Sequence, residues 1–387
     1  MPRTADRLRD IAPFRVVEVL SRAKELEAAG RDIVHMEAGE PDFATIQPII
    51  DAAKSALDDG ATYYTGACGI PELREAVAGM YKERYQLDIP ASRILITPGA
   101  SGALLLIAAY LMNPGDGMMM TDPGYPCNRN FMRLVEGEGQ LVAVDPADRY
   151  QLTAAIAEKN WHDNTVGALV ASPANPTGEI LTRQQLSDLY DVTHRHGGNL
   201  IVDEIYHGLT FGVEAPSILE VTDQAFVINS FSKYFGMTGW RLGWMVAPEY
   251  AIEGLERLAQ NLFISMSTMA QYGALAGFEP EALALLEERR TIFHERRDYL
   301  VPALRELGFE ISHVPDGAFY VYADISRFSD DSLSFCKTLL EDHGVAVTPG
   351  ADFGHHKADT HVRFAYTTSM ERLQEGVRRL RAVLAPA

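Results

Sequence analysis

The amino-acid sequence predicts an α/β protein, in which a large domain has a mostly parallel sheet flanked by helices and a smaller domain is α+β. Between residues 94 and 247 short apolar runs recur, several of them separated by amphipathic helical stretches, as in parallel strands joined by crossover helices. After about residue 285 alternating strands and helices replace this pattern. The 387 residues suit two domains, which we place at 48–285 and at 1–47 together with 286–387.

Each element follows from its local sequence. Apolar residues at helical spacing predict a helix over residues 14 to 30, ending at a glycine, with a strand in "DIVHM" after it. Strands of the large sheet are predicted in "ILI", "MMM", "VGALV", "NLIVD", "AFVIN" and "GWMVA", with a helix over residues 182 to 198. The small domain is predicted to hold the helix "YLVPALRELG", the strands "AFYVYADI" and "HVRFAYT", and the terminal helix "MERLQEGVRRLRAVL".

Composition excludes several classes of partner. The net charge of −19 repels nucleic acids and anionic membranes, and no apolar run approaches the roughly 20 residues of a membrane span. Three scattered cysteines do not form a disulfide framework, so we expect a reducing, cytoplasmic environment. We predict no metal site, because the histidines do not cluster with further ligands; those considered are His194, His196, His355 and His356.

Polar residues follow several predicted strands, where α/β proteins bind ligands. Gly99, Ala100 and Ser101 open a helix whose free amides can hold a phosphate, although glycine there is often only a turn. Asn175 lies between two prolines, and by itself this pattern favours a Pro-rich turn with asparagine as the turn former. Asp203 ends a strand, either as a helix N-cap or as a carboxylate facing the ligand crevice.

The segment "NSFSKYFGMTGWRLGW" is the most informative stretch of the chain. Lys233 lies between Phe231 and Tyr234, and no other charge follows before Arg241. Apolar surroundings disfavour the charged form of a lysine and make a nucleophilic amine available, as Schiff-base chemistry requires. Such a site needs a carbonyl cofactor, an anion for Arg241 and a carboxylate for a ring nitrogen, which Asp203 can supply.

This stretch resembles the lysine signature of class I and II aminotransferases, which are pyridoxal-phosphate enzymes of fold type I. The signature matches residues 230 to 243 along its whole length. Further matches occur, in the family's order, in "GEPDF", "YYTGACGIPELREAV", "DPGYP", "NPTG", "DEIY" and "HVRFAYT". The resemblance implies an enzyme that moves an amino group between an amino acid and a 2-oxo acid, and a homodimer with shared active sites.

The resemblance also implies a role for each matching residue. Lys233 would bind the cofactor's aldehyde and move the proton, Asp203 would pair with the ring nitrogen, and Tyr206 would be the third catalytic residue. The implied cofactor-binding set adds Tyr64 of the other subunit, Ala100, Ser101, Tyr125, Asn175, Ser230 and Arg241. Gly39, Asn175 and Arg363 would meet the substrate, with the planar fork of the arginine matching its α-carboxylate.

The substrate prediction rests on apolar residues near the N-terminus. Phe14, Val16 and Val17 would face the ligand, and Ser101 occupies the position where one branch of aspartate-preferring relatives carries a lysine. We therefore predict neutral, apolar or aromatic donors, with 2-oxoglutarate or pyruvate as acceptor. An arginine elsewhere in the dimer could still serve a dicarboxylate; the candidates are Arg15, Arg129 and Arg133.

Three alternatives stay open from sequence. A carbon–sulfur β-lyase or related fold type I enzyme would use the same cofactor residues. An S-x-x-K serine hydrolase would use Ser230 and Lys233, but its S-D-N and K-T-G motifs are missing from the chain. A ligand-sensing module fused to a DNA-binding domain is disfavoured by the acidic charge.

Overall fold

The computed structural model describes residues 4–384. Its strands are β1 Val34–His35, β2 Ile94–Thr97, β3 Gly117–Asp122, β4 Glu138–Ala143, β5 Thr165–Ala171, β6 Asn199–Asp203, β7 Phe226–Ser230, β8 Gly243–Val246, β9 Tyr320–Asp324, β10 Val345–Ala346, β11 Thr348–Pro349 and β12 His361–Ala365. Its α-helices are α1 Arg15–Ala28, α2 Gln47–Asp58, α3 Pro71–Tyr85, α4 Gly99–Leu111, α5 Cys127–Leu134, α6 Ala154–Lys159, α7 Arg183–Arg195, α8 Ile252–Leu262, α9 Thr268–Ala276, α10 Pro280–Leu307, α11 Ser332–His343 and α12 Met370–Leu384.

The central sheet has seven strands in the order β2-β8-β7-β6-β5-β3-β4. Only β8 runs antiparallel to its neighbours β2 and β7, while the other pairs are parallel. The predicted mostly parallel α/β fold is therefore confirmed. Because consecutive side chains of a strand point to opposite faces, parallel strands covered by helices on both sides are apolar at every position.

Strand β6 shows how both faces of the sheet are buried. Leu200 and Val202 belong to one core cluster, and Ile201 between them belongs to a second cluster on the other face. The second cluster includes Leu104 and Ile107 of helix α4, which covers that face. The continuous apolar run of β6 is thus explained by burial on both sides, and the strand's polar end at Asp203 is left at the sheet edge.

Two smaller sheets are built from the N-terminal and C-terminal segments. Strand β1 pairs in parallel with β10, and β11, β12 and β9 form an antiparallel sheet. Helix α10 is 28 residues long and runs unbroken through the predicted domain boundary at residue 285. The division into domains stays a prediction, and on this architecture the long helix would belong to both units.

Most predicted elements occur within a few residues of their predicted bounds, but β4 was missed. Its sequence "EGQLVA" has polar or small residues at four of its six positions, and only Gln140 and Val142 are buried. This is the pattern of an edge strand, which lacks the long apolar run of the central strands. Among residues 4–384 no helix is both long enough and apolar enough to cross a bilayer.

Candidate active site

The predicted site residues converge on one cavity of about 430 Å³ at the carboxyl edge of the central sheet. It also receives the start of α1, the loop after β1 and the antiparallel strands β9 and β12. Eleven of the twelve predicted residues line it, and Tyr64 does not. The eleven are Gly39, Ala100, Ser101, Tyr125, Asn175, Asp203, Tyr206, Ser230, Lys233, Arg241 and Arg363. Their individual roles stay predictions.

Asp203 ends strand β6 and is almost completely buried, with 6% exposure. One carboxylate oxygen accepts a hydrogen bond from the backbone N–H of Ile205 at 3.1 Å, and no helix begins there. Burial raises the pKa of Asp203 to about 7, because the charged form loses its hydration. The structure thus places a carboxyl group at the cavity whose charged form needs a cationic partner.

Lys233 follows strand β7 and donates a hydrogen bond from Nζ to the backbone carbonyl of Gly39 at 2.6 Å. Burial lowers the pKa of Lys233 to about 8, and the nearby guanidinium groups of Arg363 and Arg241 act in the same direction. A larger fraction of this amine is therefore uncharged near neutral pH than for an exposed lysine. That property is what a nucleophile or base at this position requires.

A positively charged cradle lies at the N-terminus of α4. Gly99 has a φ of +70°, and a Cβ atom there would lie only 2.6 Å from Nη2 of Arg241. Arg241 itself adopts a left-handed conformation and donates through Nη1 to the Thr238 carbonyl at 2.8 Å. Free amide groups of the helix, its dipole and the guanidinium group together form an anion site of the kind that binds phosphate.

Arg363 supplies the second cationic end of the cavity and is 3% exposed. It donates to the side-chain oxygen of Asn175 at 3.0 Å and to the backbone carbonyl of Glu37. Its Nε atom has no hydrogen-bond partner within the described part of the chain. Because a buried guanidinium nitrogen without a partner is costly, this group is suited to a ligand carboxylate.

Aromatic residues also line the cavity. The hydroxyl groups of Tyr206 and Tyr320 lie 2.9 Å apart, and either can be the donor. Tyr125 lines the cavity from the loop after β3, and its ring packs edge-on against Phe14 at a centroid distance of 6.2 Å. A flat ring held between these side chains would be in contact with apolar and hydroxyl groups.

The start of helix α1 contributes an apolar wall made of Phe14, Val16, Val17 and Leu20. Phe14, Val16 and Val17 were predicted from sequence to face the ligand.

None of the three arginines considered for a dicarboxylate lines the cavity. Arg133 donates to Asp10 at 2.7 Å, and Arg15 lies 3.8 Å from Glu18. Arg129 lines an outer groove and a small neighbouring cavity, which shares Tyr125 and Asn175 with the main one.

Tyr64 lies outside this cavity and is 80% exposed, and the adjacent Tyr63 is 82% exposed. Sequence analysis missed Tyr320, Glu40, Thr238 and Ile205, which also line the cavity. Glu40 and Ile205 are neighbours in sequence of predicted residues and could have been found from that proximity. Tyr320 gave no local signal, because alternation in "AFYVYADI" is typical of an ordinary strand.

Comparisons with known proteins agree with this geometry. A family model described as "Aminotransferase class I and II" matches residues 31–380. This chain belongs to the class I and II aminotransferases. The family depends on pyridoxal phosphate, so the chain is a pyridoxal-phosphate-dependent transaminase that acts on amino acids and 2-oxo acids.

Individual relatives match over almost the whole chain. A valine–pyruvate aminotransferase of Mycobacterium tuberculosis is 36% identical, with 96% of each chain covered. A (5-formylfuran-3-yl)methyl phosphate transaminase of Methanocaldococcus jannaschii is 34% identical, with 98% of each covered. The crystal structure of an aminotransferase from M. tuberculosis superposes with a TM-score of 0.96 at 35% identity, covering 99% of both chains.

Solved fold type I enzymes also include aspartate aminotransferase. The Thermus thermophilus enzyme crystallised with maleate superposes with a TM-score of 0.93 at 32% identity, covering 99% of this chain and all of that one.

The serine-hydrolase alternative is not supported. Ser230 donates to the Leu242 carbonyl at 3.1 Å and Lys233 to Gly39, so the two side chains are not paired as nucleophile and base.

Proposed function

We propose that this aminotransferase takes its amino group from a neutral L-amino acid with an apolar or aromatic side chain and delivers it to 2-oxoglutarate or pyruvate. The observation that carries the proposal is the lining of the cavity. Arg363 and Arg241 line it together with an apolar wall from α1, and no third arginine does so among residues 4–384. Such a site favours one carboxylate and an uncharged side chain.

The residues present fit pyridoxal phosphate. The cradle at Gly99 and Arg241 would hold the phosphate together with Ala100, Ser101 and Ser230, since it combines free amides, hydroxyls and a guanidinium group. When bound, the cofactor supplies an aldehyde carbon that takes up amino groups and a ring that withdraws electrons from the carbon carrying the nitrogen.

Asp203 would hold a proton on the cofactor's ring nitrogen. Its carboxyl group is buried and its pKa is raised to about 7, so a cationic partner stabilises the charged form strongly. The side-chain oxygen of Asn175 accepts a hydrogen bond from Arg363, so the amide N–H groups of Asn175 are free to donate to the oxygen on the cofactor's ring. Tyr206 would donate to the same ring oxygen, and Tyr125 would cover the face of the ring.

Lys233 would hold and move the proton at the substrate's Cα. Its lowered pKa, about 8, keeps a useful fraction of the amine uncharged near neutral pH, which a general base needs. The bond from Nζ to the Gly39 carbonyl keeps the side chain pointed toward the cavity. Loss of that orientation would lower the rate even if the amine remained.

Arg363 would bind the α-carboxylate of every substrate. Its unpartnered Nε is a donor on the edge of the planar guanidinium group, and the bond to Asn175 fixes the orientation of that group. Discrimination between substrates would then come from the wall of Phe14, Val16, Val17 and Leu20. Since one methylene in an apolar pocket changes binding by only about 1–3 kcal/mol, we expect a broad substrate range.

The proposal includes a homodimer in which Tyr64 of one subunit reaches the phosphate in the other. The two adjacent tyrosines Tyr63 and Tyr64 are 82% and 80% exposed, which is costly for aromatic side chains unless a partner covers them.

The proposal also includes a cytoplasmic location, supported by the three cysteines, none of which is in a disulfide. Cell fractionation with an antibody would test the location.

The substrate proposal is tested by kcat/KM for aspartate, alanine, methionine and phenylalanine with one common acceptor. An advantage of aspartate of more than about tenfold, or about 1.4 kcal/mol, would contradict the apolar-pocket proposal. Val17→Lys should raise the selectivity for aspartate over phenylalanine, because Val17 lines the cavity. Glu18→Gln is the matched control, since it makes the same charge change of +1 at an exposed neighbour outside the lining.

A further inference from the structure

Tyr320 is the first residue of β9 and is 1% exposed, yet it lines the cavity. It contacts three of the residues to which the proposed function gives a role. These contacts are made by two different parts of the side chain. The ring faces Arg363, and the hydroxyl group faces Tyr206 and Gly39.

The ring contact follows from the register of the small antiparallel sheet. Tyr320 pairs with Ala365, and Arg363 lies two residues before Ala365, so Tyr320 and Arg363 are diagonal neighbours on one face. The guanidinium carbon of Arg363 lies 4.2 Å from the centroid of the Tyr320 ring. A guanidinium group stacked this closely on an aromatic ring is restricted in the plane that it can adopt.

The hydroxyl contact links two other loops to the same ring. The Tyr320 hydroxyl lies 2.9 Å from that of Tyr206, and a Cβ atom on Gly39 would lie 2.6 Å from it. Gly39 is therefore required to be glycine by the position of this hydroxyl group. The Gly39 carbonyl accepts the hydrogen bond from Lys233, so Tyr320 leaves no room for a side chain at the residue against which the lysine rests.

We propose that Tyr320 is a positioning residue that sets the plane of the Arg363 guanidinium with its ring and the direction of the Tyr206 hydroxyl with its own hydroxyl. The inference rests on the proposed function and deepens it. One side chain would then orient both the guanidinium group that binds the substrate carboxylate and the hydroxyl group that donates to the cofactor's ring oxygen. Positioning of this kind contributes to rate by reducing the number of unproductive orientations.

A purely structural role would give a different result. If Tyr320 only filled the core, its hydroxyl group would be dispensable and only the volume of its ring would matter. If it directs Tyr206, removing the hydroxyl should weaken donation from Tyr206 to the cofactor's ring oxygen. The other ionisable groups around Tyr206 are Asp203, Lys233 and Arg363, and all three are retained in the test.

The test compares Tyr320→Phe with Tyr322→Phe in the enzyme loaded with pyridoxal phosphate. Tyr322 is a matched control, because it is buried on the same strand, lies opposite Arg363 in register, and has a hydroxyl group without a hydrogen-bond partner in the described chain. The first measurement is the pH titration of the cofactor's visible absorption without substrate. Melting temperatures of both variants show whether each is folded.

Tyr320→Phe should move the titration midpoint upward by about half to one pH unit, as expected for one lost hydrogen bond, and Tyr322→Phe should not move it. In turnover, Tyr320→Phe should lower kcat with little change in KM, since the ring still orients Arg363. Tyr320→Leu should in addition raise KM about three- to tenfold, because the stacking contact is lost. KM is measured for the panel donor with the highest kcat/KM.

A double variant tests whether the hydroxyl group of Tyr320 acts through Tyr206. Tyr206→Phe and the double variant with Tyr320→Phe should show the same titration midpoint, because the hydroxyl of Tyr320 acts through Tyr206. Additive shifts, or a Tyr320→Phe midpoint equal to that of Tyr322→Phe, would overturn the inference. If the wild type preferred aspartate by more than about tenfold in the donor panel, the proposed function would fail instead.

Discussion

Replacing Gly99 with alanine tests the phosphate cradle most directly. The new Cβ would lie 2.6 Å from Nη2 of Arg241, so the guanidinium group must retreat by about 1 Å to reach an ordinary van der Waals distance. The φ of +70° at Gly99 adds a strain of about 1–2 kcal/mol for any residue with a Cβ atom. The substitution therefore has a steric effect on Arg241 and a separate backbone effect.

The two effects are separated by Gly60→Ala. Gly60 has a similar φ of +75°, and nothing lies within 4 Å of a Cβ atom placed there. Both variants should lower the melting temperature of the cofactor-free protein by a similar amount. Only Gly99→Ala should weaken the binding of pyridoxal phosphate, by about 10- to 100-fold, because a hydrogen bond to a charged group contributes about 1.5–3 kcal/mol.

The assay is the Kd of pyridoxal phosphate, measured by equilibrium dialysis at fixed ionic strength, since charged contacts weaken with salt. Pyridoxal without the phosphate is a second control, and its affinity should be the same for wild type and Gly99→Ala. Equal affinity of both glycine variants and wild type for pyridoxal phosphate would refute the argument that Arg241 holds the phosphate at this turn.

Three further outcomes are expected. Borohydride reduction followed by peptide mapping should place the pyridoxyl label on Lys233, and a label on another lysine would rule out the assignment. Lys233→Ala should keep the cofactor non-covalently but lose turnover by several orders of magnitude. Mixing inactive Lys233→Ala with an inactive Tyr64 variant should restore some activity in hybrid dimers, and no recovery after proven subunit exchange would argue against shared sites. Burial raises the pKa of Asp203 to about 7 in the folded protein, above its value of about 4 in the unfolded chain. The contribution of Asp203 to the free energy of unfolding is therefore fully present below about pH 4 and is lost as the pH rises through 7. Asp203→Asn should therefore raise the melting temperature of the cofactor-free protein at about pH 8 but not at about pH 4, and a pH-independent difference would contradict this reasoning.

Sequence alone predicted the fold class and the family, because these depend on local patterns. The apolar run of β6 and the carboxylate of Asp203 at its end lie within five residues, so one short segment predicts both the strand and the site residue. Lys233 and Arg241 could be assigned similarly, because the signature that contains them is continuous in sequence. In contrast, the edge strand β4 has a mixed pattern without a local apolar signal, and it was missed.

Only the tertiary structure decided how distant segments meet. Arg363 bonds to Asn175 across 188 positions of sequence, and Lys233 bonds to Gly39 across 194. The contacts of Tyr320 and the absence of Arg129 from the cavity lining depend on strand register and helix packing. Residue periodicity determines which face of an element is buried, but it carries no information about which other element covers that face. The sequence therefore determined the chemistry available to this protein, and packing decided which of those groups share one cavity.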